Sequence, residues 1–408
     1  MALRSEVSTR PGWYLLGPAF VAAIAYVDPG NVAANVSAGA QFGFLLLWVI
    51  VVANVMAGLV QYLSAKLGLV TGRSLPEVVG DHSRRPTRIA YWLQAELVAM
   101  ATDLAEVVGG AIALHLLFEL PLLLGGVITG AVSMLLLAVQ DRRGQRRFEL
   151  VISGLLLIIA IGFLASLFVA PPPAAELADG LVPRFQGAES VLLATAILGA
   201  TIMPHAVYLH SGLSRDRHGR PPAGPQRRRL LRITRWDVGL AMVVAGTVNA
   251  AMLVVAATNL QGLVDGDSIE GAHAAVRDAL GPTIALFFAI GLLASGLAST
   301  SVGAYAGAMV MQGLLRISVP LLWRRLITLI PALVVLAIGV DPTRALVLSQ
   351  VVLSFGIPFA LVPVIRLTAD RALMGADANH RLTSLLGWAI TAVVTLLNVV
   401  LIYLTVRG

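Results

Sequence analysis

The 408-residue chain contains no cysteine. That absence excludes disulfides, covalent haem attachment and thiolate metal sites. Charge is scarce as well: Asp, Glu, Lys and Arg make up 12% of the chain, about half the roughly 25% of an ordinary soluble domain. No polar stretch is long enough for a soluble domain, and the longest is a loop of about 20 residues near 215–232. A cleavable signal peptide is not expected. Met1–Arg10 is polar, and the apolar run after it is too long and lacks a small-residue cleavage site. Neither H-E-x-x-H nor G-x-S-x-G occurs, so the protease and esterase signatures are missing and no enzyme is expected.

What the chain has is hydrophobic residues, 58% of the total, with a mean hydropathy of +0.85. A membrane helix needs about 20 mainly apolar residues. Division at the charges yields eleven such spans, at about 12–43 (interrupted), 44–70, 89–118, 120–140, 150–170, 190–213, 236–260, 282–314, 321–340, 344–366 and 382–405. With the N-terminus inside, 24 of the 29 Lys and Arg fall on the cytoplasmic side, among them "DRRGQRR" (141–147) and "RDRHGRPPAGPQRRRLLR" (215–232). This is the positive-inside pattern. It predicts a multi-pass protein of the plasma (bacterial inner) membrane with its C-terminus outside, and assigns the net charge of +7 to topology and anionic lipid, with no nucleic acid as partner. The acidic stretches at 171–180 and 264–273 fall outside, as solvated turns or as gatherers of cations.

The first and sixth spans are both interrupted near their centres, by "VDPGN" (27–31) and "IMPHA" (202–206). A shift of 175 residues lays Pro29 on Pro204 and Asp28 on Met203. Five spans separate the two breaks, so they enter the membrane from opposite sides. Paired broken helices in an inverted repeat point to a transporter's midplane site. The expected organisation is one transmembrane unit, with repeats at 11–175 and 190–366 and an extra helix at 380–408. It offers no assembly domain, and a monomer is the default.

Asp28 is the one charged residue between Arg10 and Lys66. An acid at the centre of a membrane helix costs about 2.5–3.5 kcal/mol on insertion scales, so a compensating partner is expected. Pro29 removes a backbone donor and Gly30 permits unwinding. Unwinding frees carbonyls such as that of Ala25 for a cation, and Asn31 adds a neutral oxygen. Met203, set against Asp28 by the pseudo-symmetry, offers a soft thioether that later transition metals accept and Mg2+ or Ca2+ do not favour; its alternative is apolar gap-filling. His205 and His210 read as proton carriers or as hydrogen-bonded packing. Glu96, Asp103 and Glu106 occupy one sector of the third span, with Glu96 and Asp103 about 20° apart around the axis. Such rows mark proton relays or ion paths, or a buried ion-pair network. Arg324 and Arg325 are drawn into the inner fringe of the bilayer, because only 15 charge-free residues separate Arg325 from Asp341. They either snorkel or pair with those acids. Gln61, Asn249 and Gln350 could orient a metal-bound water, satisfy an unwound backbone or join helices. Asp341, ahead of Pro342, reads as a helix N-cap.

Taken together, "AYVDPGN" (25–31), "AELVAMATDLAE" (95–106), "MPHAVYLH" (203–210), "LWRRLIT" (322–328) and "LSQV" (348–351) make the chain resemble the Nramp family of proton-coupled divalent metal transporters. The resemblance implies an all-α membrane protein of eleven transmembrane helices with a LeuT-type fold and broken helices 1 and 6. It implies Mn2+ or Fe2+ as transported substrate, with no resident cofactor. The side chains of Asp28, Asn31 and Met203 would hold the ion. Carbonyls of Ala25 and Ala200 would complete the shell, with Gln350 approaching on occlusion. Protons would leave Asp28 through Glu106 and Asp103 toward Arg325, Arg324 and Glu96, with His205 nearby. A passive channel, a sodium/solute symporter and an intramembrane enzyme are the alternatives from other classes.

Overall fold

A computed structural model describes residues 16–140, 171–262, 268–317 and 319–407, with isolated positions between 154 and 164. The expected fifth span, the arginine run at 141–147 and residues 264–267 of the second acidic stretch lie outside the described residues. Everything regular among those described is helical, and no strand occurs there.

The first helix is broken as its sequence predicts. Helix α1, Pro18–Ala23, tightens into a 3-10 turn at Ile24–Val27, and α2 restarts at Pro29–Phe42. Next come α3 (Leu47–Thr71), the short α4 (Leu75–Asp81), α5 (Arg85–Phe118) and α6 (Leu122–Gln140). Beyond the fifth span lie α7 (Ala174–Gly180) and the second broken helix, α8 (Gly187–Thr201) and α9 (Pro204–His218). The rest is α10 (Pro225–Asn259), α11 (Ile269–Leu280), α12 (Pro282–Leu315), α13 (Leu321–Ala337), α14 (Pro342–Ala369), α15 (Arg371–Met374) and α16 (Arg381–Arg407).

Seven segments among the described residues are long and apolar enough to cross a membrane: Leu47–Thr71, Arg85–Phe118, Gly187–His218, Pro225–Asn259, Pro282–Leu315, Pro342–Ala369 and Arg381–Arg407. The first span contributes a shorter apolar piece, Pro18–Val27, and the fourth another, Leu122–Leu135. Two expectations about polar segments need correction. The arginine-rich stretch after the sixth span is mostly helix: α9 runs on to His218 and α10 starts at Pro225, so the loop shrinks to 219–224. Proline at the first helical position starts α10, and arginine is a good helix former outside the bilayer. The acidic stretches are not simple turns, because they contain α7 and the start of α11. Ser268 caps the latter by accepting from the Gly271 N–H at 2.9 Å.

Capping sets the other boundaries. Asp341 accepts from the Arg344 N–H at 2.6 Å with Pro342 behind it, as the sequence predicts. Ser74 and Glu77 close a capping box on α4. In the interior, α5 packs on α12, α2 on α10, α8 on α14 and α9 on α3. Helix α16 is held to α14 by a reciprocal pair, Ser354 Oγ donating to Asn398 Oδ1 at 2.8 Å and Asn398 Nδ2 to the Ser354 carbonyl at 3.1 Å.

Candidate functional site

Asp28 stands between the two pieces of the first helix with extended backbone angles, φ −71° and ψ 165°. Its carboxylate caps α2: Oδ1 accepts from the Asn31 N–H at 2.7 Å, and Oδ2 faces Gln350 Nε2 at 3.4 Å. The residue is wholly buried, yet among the described residues it has no cationic partner. Asn31 donates to the Tyr26 carbonyl and accepts from Asn35 Nδ2 at 2.6 Å. Asn249 donates to the same Tyr26 carbonyl at 3.0 Å, and Ser295 donates to that of Val27. The break therefore frees carbonyls, as proline and glycine there predict, and neighbouring helices satisfy two of them.

The second break passes through Ile202 (φ −109°, ψ 56°) and Met203, which precedes Pro204 at the start of α9. Met203 is fully buried, and Ala200 lies in the last turn of α8, also buried. Gln350 joins the two breaks. A Cβ at Gly30 would overlap its side chain, and one at Gly199 would overlap its carbonyl oxygen. Gln350 Oε1 is itself buried without a hydrogen-bond partner. Pro29 nests between Gly109 of α5 and Gly296 of α12, which seats the first break against the acid-bearing helix.

Those acids meet arginine. Arg325 donates to Asp103 and, at 3.4 Å, to Glu106 Oε2; it also donates to Ser133 Oγ at 3.2 Å and Thr300 Oγ1 at 3.3 Å. Arg324 pairs with Glu96 at 3.1 Å nearer the surface. The structure thus decides between snorkelling and pairing in favour of pairing. The second oxygen of Glu106 is buried and unpartnered. His205 Nδ1 lies 3.4 Å from Thr102 Oγ1 on the same helix as the acids. His210 sits elsewhere: its Nδ1 is 2.7 Å from Gln61 Oε1, and Gln61 in turn donates to the Tyr26 hydroxyl. His210 and Gln61 therefore brace the first break from behind, and Asn249 does the same at its carbonyl.

Tyr26, Asn35, Thr102, Ser133, Ser295 and Thr300 belong to this network and were not legible in the sequence, where each is an unremarkable residue in an apolar run. Among the described residues no three His, Asp or Glu side chains gather as a metal-binding group. The two breaks carry one carboxylate, amide oxygens, backbone carbonyls and, at Met203, a thioether, a mixed set suited to a borderline transition metal.

A cavity of about 940 Å³ opens on the face away from the arginine-rich segments, lined by Ser37 and Gln41 of α2 together with Glu189, Glu270, Asp341 and Arg344. Burial holds the Glu270 carboxyl above its usual pKa range. The opposite end of the first helix is closed, with Ala19, Val21, Ala22, Ala23 and Ile24 no more than 1% exposed.

A family model described as natural resistance-associated macrophage protein-like matches residues 19–404. Over all 408 residues the chain is 71% identical to a divalent metal cation transporter MntH of Mycobacterium tuberculosis, covering 95% of that protein. It is 49% identical over 387 residues to an MntH of Klebsiella pneumoniae, with 94% of this chain and 92% of the relative covered. In three dimensions it superposes on the crystal structure of the Eremococcus coleocola manganese transporter with a TM-score of 0.85 and 32% identity, covering 94% of this chain and 85% of the other. MhsT in complex with L-phenylalanine matches at 0.59 and 12% identity over 95% of this chain and 98% of the other, a likeness of fold alone. These relatives are membrane transporters and not enzymes, and the chain belongs to the Nramp, natural resistance-associated macrophage protein-like, family.

Proposed function

We propose that this chain carries divalent transition-metal ions, Mn2+ first and Fe2+ beside it, into the cytoplasm by proton-coupled alternating access. The observation that carries the reading is the pair of helix breaks at Asp28 and Met203, joined by Gln350 and buried beside an Asp103–Glu106–Arg325 cluster.

The donor set fits such an ion. Asp28 supplies the charge and Met203 the sulfur; Asn31 and the Ala25 and Ala200 carbonyls supply neutral oxygens. Gln350, whose Oε1 has no partner, would exchange its contact with Asp28 for one with the ion. The membrane holding the protein would be the plasma membrane, with the N-terminus cytoplasmic and the C-terminus outside. The cavity lined by Glu189, Glu270 and Asp341 would then face out and gather cations before they reach Asp28. Ligands must be deprotonated to bind metal, so loading releases protons. Glu106, with one oxygen on Arg325 and one free, would receive a proton from the first break. From there Asp103, Arg325, Arg324 and Glu96 extend the polar row inward, apart from any route the metal takes. The two repeats at 11–175 and 190–366 would rock against each other around the fixed site.

Mn2+ uptake into proteoliposomes with internal pH recorded alongside tests this reading. The native chain should take up Mn2+ and acidify the lumen, and Asp28→Asn should do neither. Met203→Ala should lose discrimination against Ca2+ and Mg2+. Unchanged selectivity in Met203→Ala would assign the thioether to packing, and metal movement without acidification would remove the proton coupling.

A further inference from the structure

Helix α10 carries one acid in 35 residues, Asp237, and it is 2% exposed. No arginine, lysine or histidine among the described residues forms an ion pair with it. Its two oxygens instead accept from backbone N–H groups of the first span, Oδ1 from Gly17 and Oδ2 from Ala19, each at 3.0 Å. A buried carboxylate without a cation is costly, so these two charge-assisted bonds are its compensation.

The segment so held is the inner piece of the broken first helix, Pro18–Val27. Apart from these two bonds, no side chain among the described residues hydrogen-bonds it between Gly17 and Ala25; the next ties are at the Tyr26 and Val27 carbonyls beside the break. Otherwise it is fastened by packing, Pro18–Ala23 on α9 and α10 and the turn at Ile24–Val27 chiefly on α12. It is thus a lever about 15 Å long at a helical rise per residue, hinged at the extended backbone of Asp28 and pinned by polar bonds at its far end. We propose that Asp237 is a positioning residue for transport: it pins the inner half-helix while the inner path is closed and must let go for that path to open. The inference rests on the alternating-access reading above.

The pin is strong only when dry. Without water, separating Asp237 from Gly17 and Ala19 would leave a carboxylate and two N–H groups unsatisfied. Once the half-helix tilts and water enters, all three are hydrated and most of that penalty disappears. The arrangement therefore favours two end states, closed and pinned or open and wet, over a half-open one.

Because the chain has no cysteine, a single introduced thiol reports on opening without background. In a chain carrying Ala22→Cys, a position 1% exposed here, maleimide labelling in membrane vesicles should be slow. Adding Asp237→Asn, which can accept one N–H and opposes the other with its own amide, should speed labelling by about ten- to a hundredfold, given the usual worth of a hydrogen bond to a charged group. Labelling at Ala274→Cys in the opposite cavity should slow in the same variant. Equal rates at both reporters, with and without the substitution, would overturn the proposal. Should Asp237→Asn fold poorly, the pair Ala19→Cys with Asp237→Cys decides. Oxidation to the disulfide should abolish labelling of a third thiol at position 22 and stop metal uptake, and reduction should restore both. Undiminished labelling or uptake by the cross-linked chain would overturn the proposal. The labelling needs no metal, so a chain that opens as described yet moves no Mn2+ would sink the transport assignment and leave the pin intact.

Discussion

His210 and Gln61 meet across 149 positions of sequence, Nδ1 to Oε1 at 2.7 Å, both on buried stretches of separate helices. Through its amide nitrogen Gln61 also holds the Tyr26 hydroxyl, so one side chain links α3, α9 and the turn that precedes the first break. The link is directional: it sets the height of α9 relative to the carbonyls that Tyr26 and Val27 expose.

Replacing Gln61 by Leu keeps the volume nearly constant and strands two buried polar groups, at a cost of about 1–3 kcal/mol each. The variant should unfold several degrees below the native chain in detergent. His210→Phe in the same background should recover part of that loss, because it removes one of the stranded groups. A double variant whose loss equals the sum of the singles would show that the two residues act independently.

The breaks, the acid row and the helix caps were legible because each departs from its surroundings. A lone Asp with Pro and Gly in an apolar run, three acids on one helix sector and D-P at a span's start all signal locally. The residues that complete the site were not legible. Ser295 and Thr300 act through a hydroxyl each and Tyr26 through its hydroxyl and carbonyl, and whether such an atom faces lipid or a broken helix depends on helix rotation, which apolar runs encode weakly. Asp237 was hidden for another reason: it follows an arginine-rich run and reads as a flanking charge until α10 is seen to extend eleven residues before the expected start of the span at 236. The short helix α7 escaped because seven residues carry no apolar period long enough to count, and the twelve-residue α11 escaped because its amphipathic stretch begins inside the acidic segment read as a turn.

Arginines 324 and 325 are neighbours in sequence and should differ sharply in consequence. Arg325 is 2% exposed and bonds Asp103, Glu106, Ser133 and Thr300. Arg324 meets Glu96, whose side chain is 20% exposed, and the Ala304 carbonyl. Breaking a buried pair by removing one partner costs about 3–5 kcal/mol. Arg324 is itself only 7% exposed, but its acid partner reaches water and can be rehydrated when the arginine is lost. Arg325→Ala should therefore lose most of its folded yield and Arg324→Ala less. Adding Asp103→Asn should restore part of the yield to Arg325→Ala, since it removes an uncompensated charge. Equal yields for the two single variants would contradict the ranking.

Gly30 and Gly199 both press on Gln350, and the same methyl group should have different effects at the two. At Gly30 a Cβ meets the end of the Gln350 side chain, which can swing away; at Gly199 it meets the Gln350 carbonyl oxygen, with the Ser354 nitrogen close behind. Overpacking a well-filled interior costs about 1–3 kcal/mol, and the cost persists where backbone has to move. Gly30→Ala should fold and lose metal affinity, because Gln350 is displaced from Asp28. Gly199→Ala should lose stability, because α8 must separate from α14. Gln350→Ala should then recover the stability of Gly30→Ala and leave that of Gly199→Ala unchanged. Isothermal titration with Mn2+ and thermal unfolding of the four chains would separate the two effects. A Gly199→Ala protein rescued by Gln350→Ala would mean that side chain, and not backbone, fixes the spacing of the two breaks.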